Sequence, residues 1–205
     1  MTMTKKEAAA IVGGLSKPSK MPGKAIGLPA KECNVGSKLR KVEGSTCWFC
    51  YALKNMYAFK SVQDAQYRRL KALSDPRWVD AMVALMKGER HFRWHDSGDI
   101  QDAVHLGMII DVCAATPNTS HWLPTREKAI VKKYLRLGAI PDNLNVRISD
   151  PMVDSDSHAD IVGTTSSGVR TDGRHNCPAP HQDNACLDCR MCWDKSVKHI
   201  DYRRH

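Results

Sequence analysis

From residue 91 the chain alternates between short apolar runs and helical segments, and this alternation limits the fold more than any other feature. Phe92-Arg93-Trp94, Ser120-His121-Trp122-Leu123 and Leu144-Asn145-Val146-Arg147-Ile148 read as strands, with helices over 100–115 and 126–137 between them. Strands separated by helices predict parallel βα units, because a parallel pair needs a long crossover. A fourth strand is expected at Ile161 to Thr164. Four or five such steps fall short of the eight that close a barrel. The expected class is therefore α/β, with parallel βα units forming a partial or compact TIM-barrel-like sheet and a cysteine-rich C-terminal segment.

Upstream, Val79, Met82, Val83 and Met86 repeat at i, i+3, i+4, i+7 and predict an amphipathic helix ending near Gly88. Helix is expected from about Tyr51, with Ser61 and Asp64 placed as a capping box for a second helix within 51–73. Thr125 and Gly138 suit the two ends of the helix over 126–137. Residues 1–45 are rich in Gly, Pro, Ser and Lys without a sustained period and read as mostly loop, apart from a short strand at Ala25 to Leu28. The reading is one domain over 1–205: a basic loop-rich segment (1–45), an α/β core (46–170) and a cysteine-rich metal-binding segment (171–205).

Charge is uneven. Lys and Arg number 31 against 22 Asp and Glu, yet residues 1–60 hold 11 of the basic and 3 of the acidic side chains. A basic N-terminal third with Trp48, Tyr51 and Tyr57 nearby suits a nucleic-acid partner, through phosphate contact and base stacking; a solvated arm explains the lysines equally well. Apolar stretches such as Met108-Ile109-Ile110 are far shorter than the roughly 20 residues of a membrane helix. The charged start lacks the apolar core of a secretory signal, so no membrane association and a cytoplasmic location are expected, that of the host cell if the chain is phage-encoded.

In that reducing compartment eight cysteines are not expected to pair as disulfides, and seven fall in two groups. Cys177, Cys186, Cys189 and Cys192 contain a CxxCxxC run, whose three-residue spacing lets thiolates converge on a cuboidal cluster with Cys177 as fourth corner. Zinc, the alternative metal, more often uses two CxxC knuckles separated by a longer span. Cys33, Cys47 and Cys50 form the other group. Three thiolates on a [4Fe-4S] cluster leave one iron open to a substrate or to S-adenosylmethionine; otherwise Cys33 is unrelated and the CxxC is structural or serves the first group. Cys113, on a helix, reads as core.

In open parallel sheets ligands bind beyond the carboxyl ends of the strands. That rule selects His95-Asp96-Ser97-Gly98-Asp99, Thr125-Arg126-Glu127, Ser149-Asp150 and Thr164-Thr165-Ser166. His95, Asp96 and Asp99 are the candidate catalytic acid/base groups; helix capping by Asp99 with a packed His95 is the alternative. Ser97, Gly98, Asp99, Arg126 and Asp150 are the candidate cofactor-binding residues, Arg126 with Glu127 suiting an anionic small-molecule substrate. Asp150, Asp154, Asp156 and His158 read either as a polar loop or as ligands of a hard metal.

Leu28-Pro29-Ala30 leading to Cys33, Cys50-Tyr51-Ala52, His95-Asp96-Ser97-Gly98-Asp99, and Cys177-Pro178 followed by Cys186, Cys189 and Cys192-Trp193 together resemble the gene-product-88 family of phage proteins. The resemblance spans nearly the whole chain and implies a small iron–sulfur protein. Cys47-Trp48-Phe49-Cys50 and Ser97-Gly98-Asp99 are more loosely similar to the cysteine motif and glycine-rich turn of radical S-adenosylmethionine enzymes. The resulting expectation is a protein with one or two [4Fe-4S] clusters, performing redox or radical chemistry on a small molecule and taking electrons from a donor. The alternative is a zinc-stapled basic module that binds nucleic acid or a host protein without turnover.

Overall fold

The computed structural model describes residues 3–204. Its first helix, α1 (Lys5–Val12), lies where the sequence suggested loop. Thr4 accepts from the Glu7 backbone N–H while the Glu7 carboxylate accepts from Thr4 N at 2.8 Å, and Gly13, at φ 78°, ends the helix in the left-handed region. Eight residues give too few turns for a visible period, yet Ala8 and Val12 are buried against α4 (Trp78–Met86). The helix forms because tertiary packing supplies what its length does not.

Six strands form one parallel sheet in sequential order: β1 (Lys24–Ile26), β2 (His91–Trp94), β3 (Ser120–Thr125), β4 (Leu144–Ser149), β5 (Thr165–Arg170) and β6 (His199–Arg203). Helices α5 (Ala103–Ala115) and α6 (Lys128–Leu135) join β2 to β3 and β3 to β4. Phe92 and Trp94, Leu123, and Leu144, Val146 and Ile148 turn one sheet face to the apolar core under α4, α5 and α6. The alternate residues, among them Arg93, Trp122, Asn145, Arg147 and Ser149, occupy the other face, since strand side chains alternate.

Several expectations need correcting. The stretch after Tyr51 forms two 3₁₀ turns, Tyr51–Leu53 and Asn55–Ala58, before α3 (Lys60–Ala72). No side chain caps α3, because Asp64 pairs with Lys60 at 2.7 Å instead of closing a box with Ser61. The fourth expected strand lies later, at Thr165–Arg170, because Thr164 N turns back to Ile161 O at 3.0 Å. Thr125 ends β3, and α6 starts after Glu127 without a side-chain cap; α5 is capped by Asp102, which accepts from His105 N at 2.8 Å. β6 was not anticipated at all.

Among the described residues β1 and β6 do not pair, and the cysteine-rich segment bridges their ends. Cys177 N donates to Asp201 O of β6 at 3.1 Å, and Cys186 N donates to Lys20 O, ahead of β1, at 2.8 Å. Arg147 anchors the same segment from the sheet. Its buried guanidinium donates to the carbonyls of Ser166 (2.7 Å), Val197 (3.1 Å), Met191 (3.2 Å) and Asp194 (3.4 Å). Trp193 completes the seal, its indole N–H donating to Phe92 O at 3.0 Å and its ring lying edge-on to Trp122.

Candidate active site and cysteine cavities

Beyond the carboxyl ends of the strands lies a cavity of about 540 Å³. Residues from β2 to β6 and the loops that follow them line it: Arg93, His95, Asp99, Trp122, Arg126, Ser149, Asp150, Ser167 and Tyr202, with Arg203 and Arg204 at the chain's end. Residues 45–57 close it on one side through Thr46, Phe49, Tyr51 and Tyr57. This is a small-molecule volume with an excess of guanidinium over carboxylate in its wall, which suits an anionic ligand.

The loop His95 to Asp99 divides its labour. His95 sits at φ 60°, an uncommon region for a non-glycine residue, and its ring is buried against the cavity with neither nitrogen hydrogen-bonded among the described residues. Burial, with His105 and Arg93 nearby, holds it well below the usual histidine range, so it is neutral and can accept a hydrogen bond from a ligand donor at pH 7. Asp99 is fixed by three donors: Ile100 N (2.8 Å), Thr125 Oγ1 (2.6 Å) and Arg126 N (2.8 Å). Burial nonetheless raises its carboxyl above the ordinary value. Gly98, at φ 79°, has Leu28 so close that a Cβ would lie 2.7 Å from the Leu28 Cβ. Ser97 donates to Leu28 O at 2.6 Å and accepts from Gln66 at 3.0 Å, a structural use of its hydroxyl. Asp96 lies outside the cavity wall: a Cβ on Gly27 would collide with its Oδ1, and its backbone carbonyl accepts from Tyr51 Oη at 2.7 Å.

Cys33, Cys47 and Cys50 line a second, smaller cavity of about 70 Å³, although thirteen residues separate the first two. Cys33 caps α2 (Asn34–Leu39) without a side-chain hydrogen bond, and Glu127 from the β3 end accepts from Val35 N at 2.9 Å, tying α2 to the strand ends. Cys47 and Cys50 sit on a turn fixed by Ser45, whose hydroxyl donates to Leu39 O at 2.6 Å, and by Thr46 N, which donates to Pro151 O at 2.9 Å. Gly36 leaves the space: a Cβ there would lie 3.6 Å from Cys33 Sγ and 3.7 Å from Cys47 Sγ. Burial, then Asp99 and the two neighbouring thiols, push the Cys33 thiol up to about 12. Tyr51, Gly98, Asp99 and Arg126 line both cavities, so the cysteines stand directly behind the larger one.

Cys177, Cys186, Cys189 and Cys192 surround a third cavity with Pro178, Met191, Trp193 and Ile200. Left-handed backbone at Asp183, Asn184 and Leu187 wraps the chain so that thiols nine and three residues apart face inward. Cys192 Sγ lies 3.2 Å from Tyr202 Oη, a residue of the large cavity's wall, so this group also adjoins that cavity. Cys113 is buried core, as expected.

Sequence reasoning missed Arg93, Trp122, Tyr202 and His199. A charged or aromatic residue at the alternate position of an otherwise apolar strand, as in His91-Phe92-Arg93-Trp94, is the available signal for a polar interior face. Of the four polar residues after β4, the structure brings Asp150 and His158 together at 2.7 Å. Asp154 instead accepts from Thr171 N at 2.7 Å, and Asp156 pairs with Arg170 at 2.7 Å.

Fold and site define a class: an α/β protein with a sequential parallel sheet, a cavity at its strand ends and cysteine groups on two sides of that cavity. Within it, the chain belongs to the gene product 88 family of phage proteins, whose family model matches residues 1–195. Comparison with curated proteins and with solved structures finds no match. Among the described residues no helix is long and apolar enough to cross a membrane.

Proposed function

We propose that this protein holds at least one [4Fe-4S] cluster on Cys33, Cys47 and Cys50, and that an anionic small molecule undergoes redox or radical-type chemistry in the adjoining cavity. The observation that carries the reading is the shared wall: three thiols and the large cavity meet at Asp99 and Arg126. A three-thiolate cluster supplies one-electron transfer and an iron without a protein ligand. Arg126, held through its guanidinium to Thr46 Oγ1 at 2.8 Å, places a positive charge where an anionic cluster and an anionic ligand would both benefit. Arg93, stacked 4.6 Å from the Trp122 ring, orients the ligand's negative end, and neutral His95 accepts a hydrogen bond from the ligand.

Sequence spacing favours iron–sulfur over zinc: Cys186, Cys189 and Cys192 run as CxxCxxC, whereas zinc more often uses two CxxC knuckles separated by a longer span. Each cysteine group lines a common cavity. The C-terminal four would hold a second cluster and pass electrons from an external donor past Tyr202. The sheet, in this reading, is an open partial barrel of the TIM type, closed at its seam by the cysteine-rich segment. S-adenosylmethionine, net positive through its sulfonium and ammonium groups, would bind as a co-reactant beside the anionic molecule, with its carboxylate on an arginine.

The test is iron, acid-labile sulfide and zinc content on protein purified without oxygen. About four irons per group are expected, with Cys33→Ser/Cys47→Ser/Cys50→Ser removing one set and Cys186→Ser/Cys189→Ser the other. Loss of all iron in either variant means one shared cluster, and zinc without sulfide refutes the proposal. Calorimetry with S-adenosylmethionine on the iron-loaded protein decides the radical form. A second reading, the nucleic-acid module, has its own observation: Trp48, Phe49 and Phe59 are exposed beside Lys54 and Arg204, both within about 5 Å of the Phe49 ring. Retention of single-stranded nucleic acid that weakens steeply with salt is its signature.

A further inference from the structure

At the edge of the large cavity, beside β5, Asp150, His158 and His199 place one ligand atom each within 4.8 Å of one another. The pairing register explains the convergence. Ser166 stands opposite His199 and Gly168 opposite Asp201, on the sheet face shared with Ile148; the alternate positions Ser167, Val169 and Tyr202 face the cavity, and Asp150 and Gly168 border it at the strand end. Here no helix covers the sheet. The chain between β4 and β5 crosses this face as an irregular loop that carries His158 over the strand ends.

The donors are arranged as ligands. His199 has Ser166 Oγ 2.8 Å from Nδ1 and Asp201 Oδ1 3.1 Å from Nε2, which fixes the orientation of its ring at the centre of the group. His158 and His199 stack with centroids 3.5 Å apart, which brings the imidazole of the loop against that of β6. Asp150 offers Oδ2 to His158 Nδ1 at 2.7 Å, while its Oδ1 is buried with no hydrogen-bond partner among the described residues. Gly168 keeps the centre open: a Cβ would collide with Asp201 Oδ1 and lie 3.4 Å from Asp150 Oδ2 and 3.5 Å from His199 Nε2. Arg170, 3.3 Å from Asp201 Oδ2, balances part of the acidic charge and leaves Oδ1 free to face inward.

We propose that Asp150, His158 and His199, with Asp201 beside them, bind one divalent transition-metal ion of the zinc, manganese and ferrous class, at a site distinct from the cysteine cavities. Two imidazoles and a carboxylate are the donor set such ions accept, with water filling the remaining positions. His158 is about one-third exposed, so the ion enters from solvent through the loop. Bound there, it fastens the β4–β5 loop to β6.

Mn²⁺ is the probe, because it takes carboxylate and imidazole and is a poor ligand acceptor for thiolates. Titration of the untagged full chain, followed by loss of the free-ion paramagnetic resonance signal, is expected to show one bound Mn²⁺. His158→Ala, on the exposed loop, and His199→Gln are each expected to weaken binding by about tenfold or more. Gly168→Ala should do so with every ligand retained. Cys33→Ser/Cys47→Ser/Cys50→Ser should leave Mn²⁺ affinity unchanged, which separates this site from the iron–sulfur reading whichever way that falls. Absence of saturable Mn²⁺ binding, or equal affinity in wild type and His158→Ala, overturns the proposal.

Discussion

Arg147→Met tests what holds the cysteine-rich segment to the sheet. The residue is 0% exposed, and among the described residues no carboxylate pairs with it; its partners there are four backbone carbonyls, three of them on residues 191–197. NH1 makes one short bond, and NH2 shares two N–H groups among three acceptors, so about three bonds are lost. Each bond from a charged donor contributes about 1.5–3 kcal/mol, while removing the charge recovers a desolvation cost of several kcal/mol. The net expected loss is about 2–4 kcal/mol, or roughly 1–2 M in urea midpoint at an m-value near 2 kcal/mol/M. Met fills similar volume, so the loss reports the hydrogen bonds and not a cavity. Unfolding followed by tryptophan fluorescence, with amide exchange over 189–198, measures both the global and the local effect. Arg147→Lys keeps the charge but not the fork, and should fall between wild type and Arg147→Met. A variant as stable as wild type, with unchanged exchange in that segment, refutes the anchoring role.

Two further outcomes follow from buried groups. Burial lowers His105 and His121 to about 4, below the unfolded value of about 6.5. The unfolded chain therefore binds more protons between those values, and stability present above pH 6.5 is lost as pH falls toward 4, by about 3 kcal/mol per histidine. His121→Phe removes about half of this loss, since Thr116 Oγ1 keeps its bond to Val112 O at 2.7 Å; urea midpoints at pH 7 and 4.5 that change equally in variant and wild type would count against it. Gly98→Ala sets a methyl 2.7 Å from Leu28 Cβ at φ 79° and is expected to cost about 1–3 kcal/mol. Thermal unfolding identical to wild type would show that the loop yields freely.

The parallel α/β class was legible because Phe92-Arg93-Trp94, Ser120 to Leu123 and Leu144 to Ile148 carry local signals: β-rich runs, helical periods between them, and turn residues at their ends. The positions beyond those strands were legible for the same reason, since topology sends strand carboxyl ends to one side; His95, Asp99, Arg126 and Asp150 all reach the cavity wall. β6 was not legible, because His199-Ile200-Asp201-Tyr202-Arg203 follows a cysteine-rich loop and, among the described residues, pairs only with β5, 33 residues earlier at each paired position. α1 was hidden by its shortness and the glycines after it.

The sequence by itself determined which chemistry the chain carries: seven cysteines in two spaced groups, and a set of strand ends bearing histidine, carboxylate and guanidinium. Only the tertiary structure decided their company. That Cys33 meets Cys47 and Cys50 across thirteen residues, that Asp96 faces Gly27 while Asp99 faces the cavity, and that His199 crosses to Asp150 and His158 all depend on strand register and loop path. The reason is physical: spacing rules describe neighbours on one helix or turn, whereas these contacts join segments whose separation is fixed by sheet pairing and core packing, to which no local pattern refers.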